Sequence, residues 1–209
     1  MTSNPPSSSS GTPDLDLNRR VQALERENAA LRTEVERLTR YRDLAYRDDL
    51  TETFNRRYLE ARAREALRPS SRGVGCGLVL IDVDDFKAVN DRCGHAAGDR
   101  VLHRIAQIAA RRARRNDAVG RWGGDEFYAL LPHTRPEGVR AFVERLTLDL
   151  AEIVVLPTPM EFSRVTCSVG CAHSTEDGST LEELFAAADR RMYGAKGRGF
   201  ARLSATAAA

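Results

Sequence analysis

The stretch of this 209-residue chain that most limits its fold is Arg121–Phe127, R-W-G-G-D-E-F, where two adjacent glycines precede two adjacent acids. Consecutive glycines weaken a strand interior but accept positive φ and leave room for a bulky ligand, so Gly123 and Gly124 are expected at a hairpin tip. Ala118 to Trp122 would lead in, and Phe127 to Leu131 reads as an apolar return strand that Pro132 should stop. Side chains alternate along a strand, so Asp125 and Glu126 should point to opposite faces. Only one of them can then share a face with a given partner. Taken alone, a Gly-Gly turn followed by acids is ordinary exposed surface.

A second acidic cluster changes that reading. In G-L-V-L-I-D-V-D-D-F-K, an apolar strand from about Gly77 to Val83 runs into Asp82, Asp84 and Asp85. Unpaired carboxylates at a buried strand end are costly, so a cation is their natural counterpart. Farther on, Asn90 and G-H-A-A-G-D (Gly94 to Asp99) precede Val101, Leu102, Ile105, Ile108 and Ala109 at helical spacing, which suits a ligand site at a helix start. Helices are also expected over Arg56–Arg68, Arg135–Ile153 and Leu181–Ala195, and a strand over Phe162–Ala172. Strands alternating with helices around one hairpin give an α/β (α+β) class with a central mixed sheet covered by helices.

The N-terminal part follows a different period. Leu17, Leu24, Leu31 and Leu38 recur every seven residues, with Val21, Asn28 and Val35 three positions before the last three, a heptad seam with Leu at d and Val at a. Asn28 at an a position pairs best with its own copy in a two-stranded parallel coil. Arg20 facing Glu25 and Glu27 facing Arg32 add attractive g–e pairs, so a homodimer is expected. A helix packed on its own domain would show a wider apolar stripe. Met1 to Pro13 are rich in Ser and Pro and should be disordered. The chain thus divides into a tail (1–16), a coiled-coil helix (17–47), a folded domain (48–203) and a short tail (204–209).

A net charge of +2 gives no footing for nucleic acid, although Arg111, Arg112, Arg114 and Arg115 cluster locally. Cys76, Cys93, Cys167 and Cys171 lack zinc-type spacing and read as reduced core thiols. With no signal-like or membrane-spanning stretch, a cytoplasmic protein without membrane contact is expected.

Together, these separated motifs resemble the GGDEF family of diguanylate cyclases over roughly Asp48 to Leu203. D-D-L-T-E-T-F-N-R-R-Y-L from Asp48 looks like the opening signature D-x-L-T-G-L-x-N-R-R, with Glu52 in place of Gly and Thr53 in place of a Leu expected near guanine. At the far end the family's A-K-x-x-G-R-N appears as A-K-G-R-G-F-A, so Lys196 is kept and Phe200 stands at an arginine position. The resemblance implies a palm-like fold akin to nucleotidyl cyclases, GTP as substrate, cyclic di-GMP as product and Mg²⁺ or Mn²⁺ as cofactor.

By the same resemblance, Asp82, Asp125 and the Val83 carbonyl hold metal, and Asp125, Glu126 and Lys87 act in catalysis. Amides around Asp85 and Phe86 cradle phosphates, with Lys87, Lys196 and Arg198 supplying charge. Asn90 and Asp99 read the guanine edge, with His95 and Leu102 nearby. A carboxylate such as Asp99 accepts from the N1 and N2 donors that guanine presents together and adenine lacks. Arg114 and Asp117 match the family's R-x-x-D product-inhibition motif in its spacing from the glycines. A signal would act through the coil, the N-terminal tail or a regulatory protein. The rival reading, prompted by Phe200, is a weak or silent cyclic di-GMP- or GTP-binding module acting through its coil.

Overall fold

In the computed structural model, residues 12–68, 74–158 and 161–196 are described. In order they form α1 (Thr12–Tyr46), β1 (Phe54–Asn55), α2 (Arg56–Ala66), β2 (Gly75–Val83), α3 (Phe86–Cys93), α4 (His95–Arg112), β3 (Ala118–Gly123), β4 (Glu126–Thr134), α5 (Pro136–Leu150), β5 (Val154–Thr158), β6 (Glu161–Arg164), β7 (Cys167–His173) and α6 (Leu181–Ala195). The chain divides into two units, Met1–Ala45 and Tyr46–Ala209. In the first unit, α1 leaves its apolar seam bare: Leu17, Leu24, Leu31, Val35 and Leu38 are each more than half exposed, and Val21 is 43% exposed. The helix starts at Thr12, before the heptads do. Thr-Pro-Asp is itself a helix-start signal, with Pro in the first turn where its missing N–H costs nothing.

In the second unit five strands pair in the order β1-β3-β4-β2-β7, with β1 parallel to β3 and the other neighbours antiparallel. The mixed sheet expected from the sequence is therefore present, flanked by helices. Alternation along β2 and β4 divides the core in two. Val79, Ile81, Val83, Phe127 and Ala129 pack with α4 and α5, while Leu78, Leu80, Tyr128 and Leu130 pack with residues of α2 and α6. On the second face α6 lies so close to β7 that a side-chain carbon at Gly170 would overlap the Ala188 carbonyl and the Met192 amide. That position has room for glycine alone.

Two strands differ from expectation. β4 passes through Pro132 to Thr134, because a register shift between Gly75 and Gly77 on β2 interrupts the ladder where proline has no N–H to give. The single strand expected over Phe162–Ala172 is two, β6 and β7, and β6 pairs with β5 in a separate small sheet. The break falls at Val165 and Thr166. Their backbones bond outside the ladder, Val165 N to Ile153 O at 3.0 Å and Asp84 N to Thr166 O at 2.9 Å.

Glu52 adopts φ 59°, the left-handed conformation that explains why the related motif carries Gly there. Relief of that strain makes Glu52→Gly stabilising by about 1 kcal/mol, read as a raised midpoint in urea unfolding. An unchanged or lowered midpoint would contradict the strain.

The ion pair between Arg191 and Asp177 ties stability to pH. Arg191 forks onto Asp177 at 2.6 and 2.8 Å and also reaches the Cys171 carbonyl at 2.6 Å. Burial alone would raise the Asp177 pKa, but the Arg191 fork and the His173 amide outweigh it and hold the carboxyl below its ordinary value. A depressed pKa gives stability that is present above the unfolded value of about 3.9 and lost as pH falls through the folded one. Arg191→Ala should therefore cost about 2 to 3 kcal/mol at pH 7. In thermal melts from pH 7 to 3 that penalty should shrink towards the part contributed by the Cys171 carbonyl. A penalty constant over this range would contradict the assignment.

Candidate active site

The hairpin forms as expected, but its tip is one residue further on. A register shift after Arg121 keeps Gly123 paired with Glu126, so Gly124 (φ 55°) and Asp125 make the turn. Asp125 thus sits on the tip and not on the return strand. Arg121 clamps this turn, its Nε and Nη2 donating to the Gly124 carbonyl at 2.8 and 2.6 Å. Its Nη1 reaches both Asp48 oxygens at 3.3 and 3.4 Å. Asp48 also accepts from the Thr51 amide and hydroxyl, and Thr53, at the unusual position of the motif, is buried with its hydroxyl 2.8 Å from that of Thr51. Although burial raises the Asp48 pKa, these donors hold it below the ordinary value. Arg121 was not singled out by sequence reasoning; its only signal is its place at the head of R-W-G-G-D-E-F.

Asp82, next to last in β2, lies directly opposite Glu126 of β4, and paired residues share a face of the sheet. Of the two hairpin acids, Glu126 is therefore the one that faces Asp82. Asp125 joins from the tip, where its carbonyl accepts from the Val83 amide at 3.3 Å. Asp82 is 6% exposed and its Oδ1 lies 3.0 Å from Lys196 Nζ, just past the end of α6. Burial pushes the Asp82 pKa up; Lys196 works against this, while Asp125 and Asp84 add to it. Glu126 is likewise raised, by burial and then by repulsion from Asp82 and Asp125. The hydrogen bond to Asp82 raises Lys196. Both pKa values rise, which disfavours the charged carboxylate and favours the charged ammonium, because desolvation outweighs the ion pair at buried Asp82 and the ion pair outweighs desolvation at half-exposed Lys196. Crowded oxygen donors at a sheet end suit a hard cation.

Behind this cluster, buried Ser168 donates to Asp84 Oδ1 at 2.6 Å and fixes the strand exit. Asp85 follows in the left-handed conformation (φ 51°) and starts α3, with Lys87 exposed on its first turn. A side-chain carbon at Gly98 would overlap Asn90 Oδ1 and crowd the Phe86 ring, so α3 and α4 meet closely and bring Asn90 beside the first turns of α4. His95 and Asp99 are exposed there, while Leu102 is buried beneath them at 2% exposure. Arg114 and Asp117 form a closed turn away from these groups, the Arg114 amide donating to Asp117 Oδ2 at 2.7 Å and the Asp117 amide to the Arg114 carbonyl at 3.0 Å. That leaves the exposed Arg114 guanidinium free to project. Arg198 and Phe200 lie outside the described residues.

Residues 45–202 match the family described as diguanylate cyclase, GGDEF domain. Diguanylate cyclase DgcP of Pseudomonas aeruginosa is 36% identical over 192 residues, 90% of this chain and 27% of DgcP. The chain spans about a quarter of the length of the curated relatives it matches. Among solved structures, diguanylate cyclase SiaD of P. aeruginosa, in complex with its activator SiaC, superposes with a TM-score of 0.66 at 36% identity, covering 90% of this chain and 75% of that one. The coiled coil and GGDEF domain of DgcB from Caulobacter crescentus, in complex with c-di-GMP, gives 0.69 at 26% identity, covering 88% and 96%. With the family match spanning residues 45–202, the chain belongs to the GGDEF family of diguanylate cyclase domains.

Proposed function

We propose that the protein is a diguanylate cyclase that joins two GTP into cyclic di-GMP and releases two pyrophosphates across a homodimer. The observation that carries this reading is the direct pairing of Asp82 with Glu126 beside the Asp125 turn, with the Lys196 ammonium 3.0 Å from Asp82. In each half-reaction the 3′-oxygen of one GTP forms a bond to the α-phosphorus of the other, and the bond from that phosphorus to pyrophosphate breaks. The hydroxyl proton passes to a base, and Glu126 is suited to this because burial and like charges raise the affinity of its carboxylate for a proton. Lys87 and Lys196 hold the triphosphate, and Asn90 and Asp99 accept from the guanine edge.

Among the described residues no three His, Cys, Asp or Glu side chains form a ready metal cage. Magnesium needs none, since it binds through one or two carboxylates, waters and substrate phosphates. Asp82, Asp125 and the Val83 carbonyl would hold it. When bound, such a cation supplies charge stabilisation to the attacking and leaving oxygens.

The exposed seam of α1 is covered in this reading by a second copy in a parallel coil, which brings the two catalytic domains together. DgcB, whose solved fragment also joins a coiled coil to this domain, supports the arrangement, and SiaD with its activator supports a regulatory protein as the source of the signal. No helix among the described residues is long and apolar enough to cross a membrane. GTP supply makes the cytoplasm the proposed location.

Purified protein with Mg²⁺ should convert GTP, and not ATP, to a product with the mass of cyclic di-GMP; no product at any protein concentration would overturn the reading. Arg114 and Asp117 form the proposed product-inhibition site, since arginine can fork onto guanine O6 and N7 or phosphate and aspartate can accept from N1 and N2. Calorimetry should show product binding that Arg114→Ala weakens at least about tenfold, while the variant accumulates more product. Equal inhibition of variant and parent by added product would remove this assignment.

A further inference from the structure

We infer that the pocket between α4 and the end of α5 binds an acidic α-amino acid, apart from the catalytic acids and from Arg114. It has a volume of about 410 Å³, within the range of small-ligand sites. Arg104, Ile108 and Arg111 recur at i, i+4 and i+7 and so share one face of α4, with both arginines exposed and the isoleucine buried between them. Ile153 joins Ile108 as an apolar floor, and Asp149 and Glu152 form the facing wall where α5 ends.

Charge decides what fits. Arg112 forks onto Asp149 with both bonds at 2.6 Å, so that pair is satisfied within the wall. Arg104, Arg111 and Glu152 line the same pocket without an ion-pair partner among the described residues, which leaves one positive charge in surplus. The arginines stand about 10 Å apart along the helix axis, so each can take a carboxylate of its own over the isoleucine floor. Glu152, with the negative end of the α5 dipole behind it, calls for an ammonium. Two carboxylates, one ammonium and a short methylene chain are what glutamate and aspartate carry, and their single negative charge balances the pocket. A neutral amino acid leaves one arginine unmet, and a plain dicarboxylate sets Glu152 against an anion.

The location gives the site a consequence. α4 ends at Arg112, just before Arg114, so a ligand held by Arg111 bears on the turn that carries Arg114. That consequence rests on the product-inhibition reading; the binding site does not.

Equilibrium dialysis of the full-length protein against radiolabelled glutamate tests the site. Neither GTP nor Mg²⁺ is present, so a chain that makes no product still gives a result. Glutamate should bind saturably, with glutarate, which lacks the ammonium, and glutamine, which lacks the second carboxylate, each at least about tenfold weaker as competitors. Arg104→Ala and Arg111→Ala should each weaken glutamate at least about tenfold while melting at the temperature of the parent. Glu152→Gln should remove the preference over glutarate. Absence of saturable binding up to tens of millimolar ligand overturns the proposal, as does binding in which glutarate matches glutamate on the unaltered chain. Binding that neither arginine variant weakens overturns it too. So does full competitive displacement by cyclic di-GMP, since the ligand would then sit at Arg114.

Discussion

Asp82→Asn should lose at least about 10²- to 10³-fold in cyclic di-GMP formation, the scale of removing one electrostatic stabiliser, and should melt no lower than the parent. The two expectations have one cause. Asp82 is nearly buried, and besides burial its charge is opposed by Asp125 and Asp84, so its ionised form destabilises the native state except for what Lys196 returns. Lys196 is 43% exposed and can rehydrate when its partner becomes neutral, so the usual penalty for orphaning a buried charge does not arise. A site arranged this way trades stability for chemistry. Asp125→Ala should show the same loss of activity. Parallel rate and melting measurements decide the matter: retained turnover removes Asp82 from the machinery, and a large drop in melting temperature makes its role structural.

The full chain should sediment as a dimer, and deleting the residues before Tyr41 should leave a monomer and reduce the rate at micromolar protein by on the order of 10³-fold. That figure is the ratio of a tethered effective concentration in the millimolar range to the free one. The catalytic unit beginning at Tyr46 has its own two-sided core, so the shortened chain should remain folded. Its specific activity should then climb with protein concentration, whereas that of the parent stays flat. Sedimentation velocity beside the rate series tests both halves. A shortened chain that remains dimeric, or one whose activity is unaffected by dilution, would free α1 from the role given to its exposed leucines.

Some parts of the molecule are legible locally and others are not. α6 is legible in full: its apolar spacing is regular, and Thr180 and Glu183 close a capping box at its start. β2 is equally plain as an apolar run ending in acids. The hairpin tip falls one residue from the sequence estimate because a bulge after Arg121 cannot be inferred from the presence of two glycines. β5 goes unread, and the break between β6 and β7 is hidden because Val165 and Thr166 take their backbone partners from outside the ladder. In the site the acids announce themselves, but their supports do not. Asp48 and Arg121 stand 73 residues apart, and Asp84 and Ser168 stand 84 apart, so neither pair leaves a local pattern. Asn90 beside Gly98 depends on the approach of two helices, which composition does not encode.

The contact at Gly170 sets a tolerance for the chemistry. α6 rests on β7 there by main chain, at Ala188 and Met192, and Lys196 follows within a turn of Met192. Main chain and the Met192 Cβ fill that joint, which leaves little to absorb a displacement. The lysine ammonium therefore inherits the positional precision of the sheet itself, although it sits at the tip of one of the most pliable side chains available.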